Sequence, residues 1–308
     1  MADLKSVLKE VRAWEPLNVP TTGILRALLR IVGAPPRWIV SHLPRSGTVS
    51  CPLPGGRMLR LWSRGDDWVS TQLFWRGWSG YEPETADVFY RLASRAQVTL
   101  DVGAYVGFYS LLAAHANPHG RVFAFEPHPG VYPRLWRNVA LNGVTNVHCV
   151  ACAVGEVTGR TDFFHLGTSM PTSSSLSYGF MAPHGDVHRV AVAAVTLDDF
   201  LRERHETRLD LVKIDTESTE PQVLRGMEQT LRHSQPAIVC EVLEGQGTGA
   251  ALERILAPLG YRYYLLTPDG PRPRERIVAD AFWLNHLFIP ADPEELTQRL
   301  AAGPGLPR

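Results

Sequence analysis

Apolar positions along this chain follow two alternating patterns. At Val98–Val102, Arg121–Phe125, Val147–Val154, Leu209–Ile214 and Ala237–Val242 they form short, nearly continuous blocks, as expected of strands buried on both faces. Between these blocks the spacing becomes helical. Glu82–Ala96, entered through Pro83, puts Val88, Phe89 and Leu92 on one face, and the run from Gly107 does the same with Phe108, Leu111 and Leu112. Further helices are predicted at Val131–Leu141 (stopped by Asn142-Gly143), from Asp198 to Leu201, at Pro221–Leu231 and at Ala250–Leu259. Strand and helix alternating in this way predict right-handed βαβ units and a parallel sheet. Tyr261–Leu266 and Ala281–Ile289 add a late antiparallel pair. The expected fold class is α/β, a doubly wound seven-stranded mixed sheet.

Residues 1–80 read as an N-terminal appendage of helices and a β-hairpin, residues 81–290 as the main domain and 291–308 as a polar, peripheral tail. The appendage predicts helices at Leu4–Val11 and Thr22–Val32, the latter with Leu25, Leu28, Leu29 and Val32 on one face, then strands at Arg57–Trp62 and Trp68–Trp75 around the turn Arg64-Gly65-Asp66-Asp67. Its tryptophans (Trp62, Trp68, Trp75, Trp78) suit either a substrate pocket or packing of the hairpin on the domain. The rhythm breaks between Gly155 and Val187, where a Ser/Thr-dense stretch, about residues 165–189, reads as a lid or a plain insertion. Regular structure resumes at Val190–Val195.

Composition narrows the function classes. Thirty-one basic and 31 acidic side chains give a formal net charge of +0, which disfavours a protein that works by neutralising nucleic-acid phosphates. The most apolar stretch, Ile24–Val40, is interrupted by Arg26, Arg30, Arg37 and Pro35-Pro36, so no membrane span is expected. The N-terminus lacks a hydrophobic signal core, and the expectation is a cytoplasmic protein with a small-molecule partner, with homodimerisation left open. The four cysteines fit reduced thiols. Cys149 and Cys152 form a C-x-x-C, but within one strand such residues face opposite sides of the sheet, which favours buried thiols over a zinc or redox pair.

The chemistry concentrates at VTLDVGAYVG, residues 98–107, followed by Glu126. A strand that breaks at Gly103 into a helix near Gly107 turns backbone N–H groups and the helix dipole toward the sheet edge. Glycines there let a ligand approach main chain. Asp101 at the strand end would hold an ammonium, and an acid about twenty residues on, Glu126, typically accepts from ribose hydroxyls. The dinucleotide fingerprint would need glycine where Tyr105 stands, and no G-x-x-x-x-G-K-[ST] is present, which weakens a nicotinamide oxidoreductase and excludes a P-loop nucleotidase. A cation-bearing nucleoside remains. A second group, Asp215, Glu217 and Glu220 after Leu209–Ile214 with Glu241 on the neighbouring strand end, puts a carboxylate cluster on the ligand-binding rim.

Taken in order, DVGAYVGFYSLLAA, RVFAFEPHP, LNG, ACAVGEVTG, TLDDF and LVKIDTESTE with VLRG resemble the FkbM-type branch of the S-adenosylmethionine-dependent methyltransferases, over roughly Tyr81 to Ile289. The resemblance implies a Rossmann-like, methyltransferase-type fold, S-adenosylmethionine as cofactor and S-adenosylhomocysteine as product. It further implies methylation of a hydroxyl on a sugar or a polyketide-type or peptide-type natural product. By the same resemblance Asp101, Gly103, Ala104, Tyr105 and Gly107 surround the methionine part and Glu126 the ribose. Pro127 and His128 flank the adenine or ribose, Ala153 and Val154 line the adenine slot, and Tyr81 and Glu82 reach the cofactor. Two positions depart from the family, which usually has asparagine where Tyr105 stands and glycine where Ser218 stands.

An alcohol acceptor must lose a proton as it is methylated, so a base within hydrogen-bond reach is expected. Asp215 is the first choice, Glu217 the second, with Glu241 on the same rim and His184 and His188 of the lid as further candidates. Oxygen ligands at Asp215, Glu217 and Glu241 suit Mg²⁺, although the spacing does not demand it and no metal site is assigned. The alternatives are N-methylation of an amino sugar or peptide amine, which needs a neutral amine more than a base, and a domain that binds the cofactor without catalysis.

Overall fold

The structure, a computed structural model, describes residues 11, 13–32, 40, 42–168, 170, 171, 173–290 and 292–301. In chain order the strands are β1 (Ser46–Pro52), β2 (Met58–Arg64), β3 (Val98–Val102), β4 (Arg121–Phe125), β5 (Val147–Val150), β6 (Ala153–Val154), β7 (Gly159–Leu166), β8 (Ser174–Ser175), β9 (Val187–Val195), β10 (Leu211–Ile214), β11 (Ala237–Glu241), β12 (Arg262–Thr267), β13 (Gly270–Arg274) and β14 (Asn285–Ile289).

The main sheet has the order β13-β12-β14-β11-β10-β3-β4-β5. Strands β5, β4, β3, β10 and β11 run parallel, and β14 pairs antiparallel with both β11 and β12. The α/β class and the mixed sheet are as expected. The eighth strand is β13, which turns back on β12 to make a hairpin. All residues of β3, β10, β11 and β14 are buried, which accounts for their near-continuous apolar sequences. Each face has its own core. Val102, Ile214 and Cys240 lie in one, while Leu211, Val239 and Leu287 lie in the other with Phe89, Leu111 and Leu112 of the helices Pro83–Ala93 and Phe108–Ala116. The chain leaves β3 outward to β4 and β5 and resumes at β10 on β3's other side, so the order reverses between β3 and β10. At such a reversal the connections diverge and leave a crevice at the carboxyl ends of the strands.

Several local expectations change. Trp68–Trp75, read as a strand, is the helix Trp68–Arg76, capped by Asp67, whose carboxylate accepts from the Ser70 amide at 2.7 Å. The partner of β2 is instead β1, and its outer edge is covered by side-chain amides. The backbone N–H groups of Arg60 and Trp62 donate to Asn142 and Asn138. With both edges satisfied, β2 has no place for a third strand. The block Val147–Val154 divides: β5 stays in the main sheet, while β6 joins a second sheet of order β6-β9-β7-β8 made by the insertion. Cys149 and Cys152 fall on opposite sides, packing against different cores. The helix expected over Pro221–Leu231 is two, Glu220–Arg225 and Glu228–Ser234. They part at Gly226, where a Cβ would lie 2.0 Å from the Gly155 carbonyl oxygen. Val223, Leu224, Met227 and Leu231 are nevertheless all buried.

The helix expected at Thr22–Val32 begins earlier, at Glu15, and exposes Leu28 while Leu25 and Leu29 pack inward. The one expected at Leu4–Val11 lies, apart from Val11, outside the described residues. The N-terminal elements share a core with the main sheet, since Val49, Leu59, Leu61 and Leu73 cluster with Leu111 and Leu112. The tail carries the helix Pro293–Ala301, whose Leu296 is buried against the same core.

Candidate active site

One cleft opens at the carboxyl ends of β3, β4, β10 and β11. Its floor comes from the first residues past each strand: Gly103 after β3, Glu126, Pro127 and His128 after β4, Asp215 to Glu217 after β10, and Glu241 ending β11. Trp68 and Val69 close one side, and Phe163 and Ser174 of the second sheet with Leu176 just after β8 close another.

At one end Glu126 is buried yet offers its carboxylate to the cleft. Its oxygens accept from the Tyr105 amide at 2.9 Å and the His128 amide at 2.8 Å. Burial pushes this carboxyl up to about 7 against the pull of those two amides. His128 Nδ1 accepts from the Gly130 amide at 3.0 Å, which places the imidazole hydrogen on Nε2. Nε2 has no hydrogen-bond partner among the described residues although it is buried beside the cleft, and burial together with His165 lowers this histidine to about 4, so it stays neutral. A carboxylate next to an unused N–H donor suits a ribose and base. Ala153 and Val154 of β6 supply the apolar wall beside them.

At the other end carboxylates gather round a lysine. Lys213 is fully buried in β10, and its Nζ donates to Asp215 Oδ2 at 2.9 Å. Its ammonium also lies 5.2 Å from the centre of the Tyr109 ring, and the Tyr109 hydroxyl donates to Glu82 at 2.5 Å. Burial opposes the lysine's charge, yet Asp215, Glu82 and Glu241 together raise its pKa above the ordinary lysine value. Burial pushes Glu217 up to about 8, with Asp215 and Glu220 adding to it. Glu241 goes to about 10, by burial and then by Asp215 and Glu217. At neutral pH these two hold protons and act as O–H donors, whereas Asp215 is paired to an ammonium. Glu82 is likewise raised, by burial.

The backbone beside these groups takes conformations that glycine and asparagine adopt with least cost. Tyr105 has φ 49°, Glu217 φ 53° and Ser218 φ 81°. The two departures from the family pattern thus stand where the usual asparagine and glycine are the residues the geometry favours. The turn at Glu217-Ser218 is held from outside: the Glu220 carboxylate accepts from the Thr216 and Ser218 amides, and Ser175 Oγ donates to the Glu217 carbonyl at 2.6 Å. Ser218→Gly is expected to stabilise the fold by about 1 kcal/mol, seen as a higher urea midpoint at unchanged slope. A midpoint at or below wild type would mean the turn carries no strain.

The cleft brings together Tyr81, Glu82, Gly103, Tyr105, Glu126, Pro127, His128, Ala153, Val154, Asp215, Glu217 and Glu241. Others fall behind it. Asp101 is buried under the rim, where its Oδ2 accepts from Ser110 Oγ at 2.5 Å. It stands in register with Lys213, so the chain's own ammonium lies on its side of the sheet. Ala104 is tied by its amide to the Phe125 carbonyl, and Gly107 starts the helix at φ 88°, where a Cβ would meet Leu135 at 2.7 Å. Both shape the turn without lining the cleft. His184 is not brought to the site. It ends an exposed helical turn and is held by its own ring against the Phe180 carbonyl at 2.9 Å. His188 is also exposed, beside Asp186 at 3.4 Å.

Phe163, Ser174 and Lys213 are site residues the linear reading did not assign, and Lys213 carried a signal, a charge inside an otherwise apolar strand block; of the four tryptophans suited to a pocket or to packing, Trp68 lines the cleft.

Comparison with known proteins gives this geometry its context. The profile of the family described as Methyltransferase FkbM domain matches residues 101–263, which is 163 of 308 residues. "Methyltransferase 1" of Beauveria bassiana (strain ARSEF 2860) is 25% identical over 188 residues, covering 56% of this chain and 76% of that protein. The "31-O-demethyl-FK506 methyltransferase FkbM" of Streptomyces tacrolimicus is 28% identical over 199 residues, covering 56% and 75%. Superposition on the crystal structure of methyltransferase FkbM from Methylobacillus flagellatus KT gives a TM-score of 0.43 at 18% identity, over 63% of this chain and 43% of that one. This chain belongs to the FkbM methyltransferase family, whose members are S-adenosylmethionine-dependent enzymes.

Proposed function

We propose that the protein is an O-methyltransferase acting on a hydroxyl of a small metabolite, a sugar or a polyketide-type or peptide-type natural product. The observation that carries this reading is the junction at β3 and β10, where Asp215 adjoins Gly103 on the cleft floor and is fixed by Lys213. One relative's name, 31-O-demethyl-FK506 methyltransferase, points to the same chemistry.

S-adenosylmethionine fits the residues present. Glu126 and His128 would hold the ribose and adenine, with Pro127, Ala153 and Val154 beside the base. Gly103, Tyr105, Tyr81 and Glu82 would hold the methionine part, with its ammonium toward the carboxylates. When bound, the cofactor supplies an electrophilic methyl group and leaves as the neutral thioether of S-adenosylhomocysteine. Asp215 orients the acceptor hydroxyl and takes its proton as the new C–O bond forms. Glu217 and Glu241, carrying protons, donate hydrogen bonds to the acceptor's other oxygens. Trp68, Val69, Phe163 and Leu176 keep water out and hold the acceptor in line, the larger part of what a protein adds to a displacement with a good leaving group.

Calorimetric titration with S-adenosylhomocysteine and with NADH tests the cofactor half. Wild type is expected to bind the former alone, and Glu126→Gln to bind it about tenfold more weakly, by loss of a charge-assisted hydrogen bond. Tight NADH binding, or no effect of the substitution, would remove the basis of this reading.

A further inference from the structure

Lys213 stands where an apolar residue would be expected. Its strand neighbours Leu211, Val212 and Ile214 are buried in the two cores, and Lys213 itself has no exposed surface. An apolar side chain of similar length would avoid the cost of burying a charge, and replacing a whole buried ion pair by apolar groups is often neutral or stabilising. The groups facing the ammonium come from every element packed on it. Asp215 follows its own strand, Asp101 is its register partner on β3 and Glu241 ends β11. Tyr109 comes from the helix Phe108–Ala116, Glu82 leads into the helix Pro83–Ala93, and Glu217 stands in the turn after β10. Because the Asp215 carboxylate beside it keeps it protonated, Lys213 is neither nucleophile nor base. Its direct hydrogen bond is to Asp215, the residue read above as meeting the acceptor.

We propose that Lys213 is a positioning residue for methyl transfer, a sealed ammonium whose ion pair fixes the Asp215 carboxylate at the cleft floor. The proposal rests on the role given to Asp215. It explains why the strand keeps a lysine: the charge sets where one carboxylate points and draws on the electrostatics of its neighbours.

The test uses full-length protein labelled with ¹³C at the Asp and Glu carboxyls, with S-adenosylhomocysteine as the only ligand. The Asp215 resonance, identified by its loss in Asp215→Asn, is expected to shift and broaden in Lys213→Met. The Glu217 midpoint, about 8 in wild type, is expected to move higher because a nearby positive charge has gone. Affinity for S-adenosylhomocysteine should change by less than about threefold, and kcat on a hydroxyl acceptor should fall at least about tenfold at unchanged KM. If Lys213 only fills space, methionine restores the packing, the Asp215 resonance keeps its width and kcat is unchanged, which overturns the proposal.

Should Lys213→Met not fold, Asp215→Asn decides by itself. It removes the charge from the ammonium's direct ion pair, so Tm is expected to fall by several degrees, and an unchanged Tm overturns the pairing. The resonance and melting readouts need no acceptor. An enzyme that methylated amines instead would sink the hydroxyl reading and leave these results standing.

Discussion

Asp215→Asn is expected to lower kcat on a hydroxyl acceptor by about 10²–10⁴-fold, the usual range for removing a positioned general base. The substitution keeps the side chain's shape and takes away its capacity to hold a proton. The neighbours cannot replace it: Glu217 and Glu241 are pushed up to about 8 and about 10, so at neutral pH they already hold their protons. The measurement is single-turnover methyl transfer with saturating S-adenosylmethionine, alongside calorimetry with S-adenosylhomocysteine to separate chemistry from binding. Near-wild-type turnover would exclude Asp215 as base. It would favour an amine acceptor, which needs to arrive neutral rather than to be deprotonated in the site.

Gly103→Ala is expected to cost more than about 3 kcal/mol of stability and to abolish binding of S-adenosylhomocysteine. At Gly103 a Cβ would lie 1.9 Å from the Asp215 carbonyl oxygen, and φ is 84°. The obstacle is main chain, so no side-chain rotation relieves it. β3 and β10 would have to part at the point where the cleft floor is made, where the Asp215 amide donates to the Val102 carbonyl at 3.0 Å. Gly143→Ala is the control. It shares a positive φ of 63° but has nothing within 4 Å of the added carbon, so it should cost only about 1 kcal/mol and leave binding intact. Denaturant midpoints of the two variants, measured side by side, separate the clash from the conformational strain. Equal losses would mean that the close approach of β3 and β10 is not what Gly103 is for.

Much of the frame was legible because it depends on local pattern. The fully buried strands of the parallel sheet carry continuous apolar blocks, the helices between them carry one apolar face, and Gly103, Glu126 and Asp215 stand at block ends where a doubly wound sheet binds ligands. Trp68–Trp75 misled because its aromatic and β-branched composition favours a strand. An N-cap at Asp67 and a strand β2 already paired on both edges made it a helix. Val147–Val154 was one apolar run by composition, and it was the arrival of β9 beside Ala153–Val154 that divided it between two sheets. His184 was a chemically suitable residue in the right insertion, but chemistry does not fix direction, and its short helix turns it to solvent.

The identity of the chemical groups was therefore set by sequence alone: which residues end the strands, which glycines allow a close backbone, and which family's motifs they compose. Their neighbourhood was decided by the tertiary structure. Gly103 and Asp215 are separated by the whole of β4, β5 and the insertion, and they meet because the chain reverses its winding direction after β3. The same reversal sets Lys213 beside Asp101 and under Asp215, where its burial becomes tolerable. The physical reason lies in range. Turn and strand preferences act over a few residues, whereas the surroundings that hold Glu241 protonated and Lys213 charged combine burial with Asp215 and Glu217 after β10 and Glu82 before the helix Pro83–Ala93.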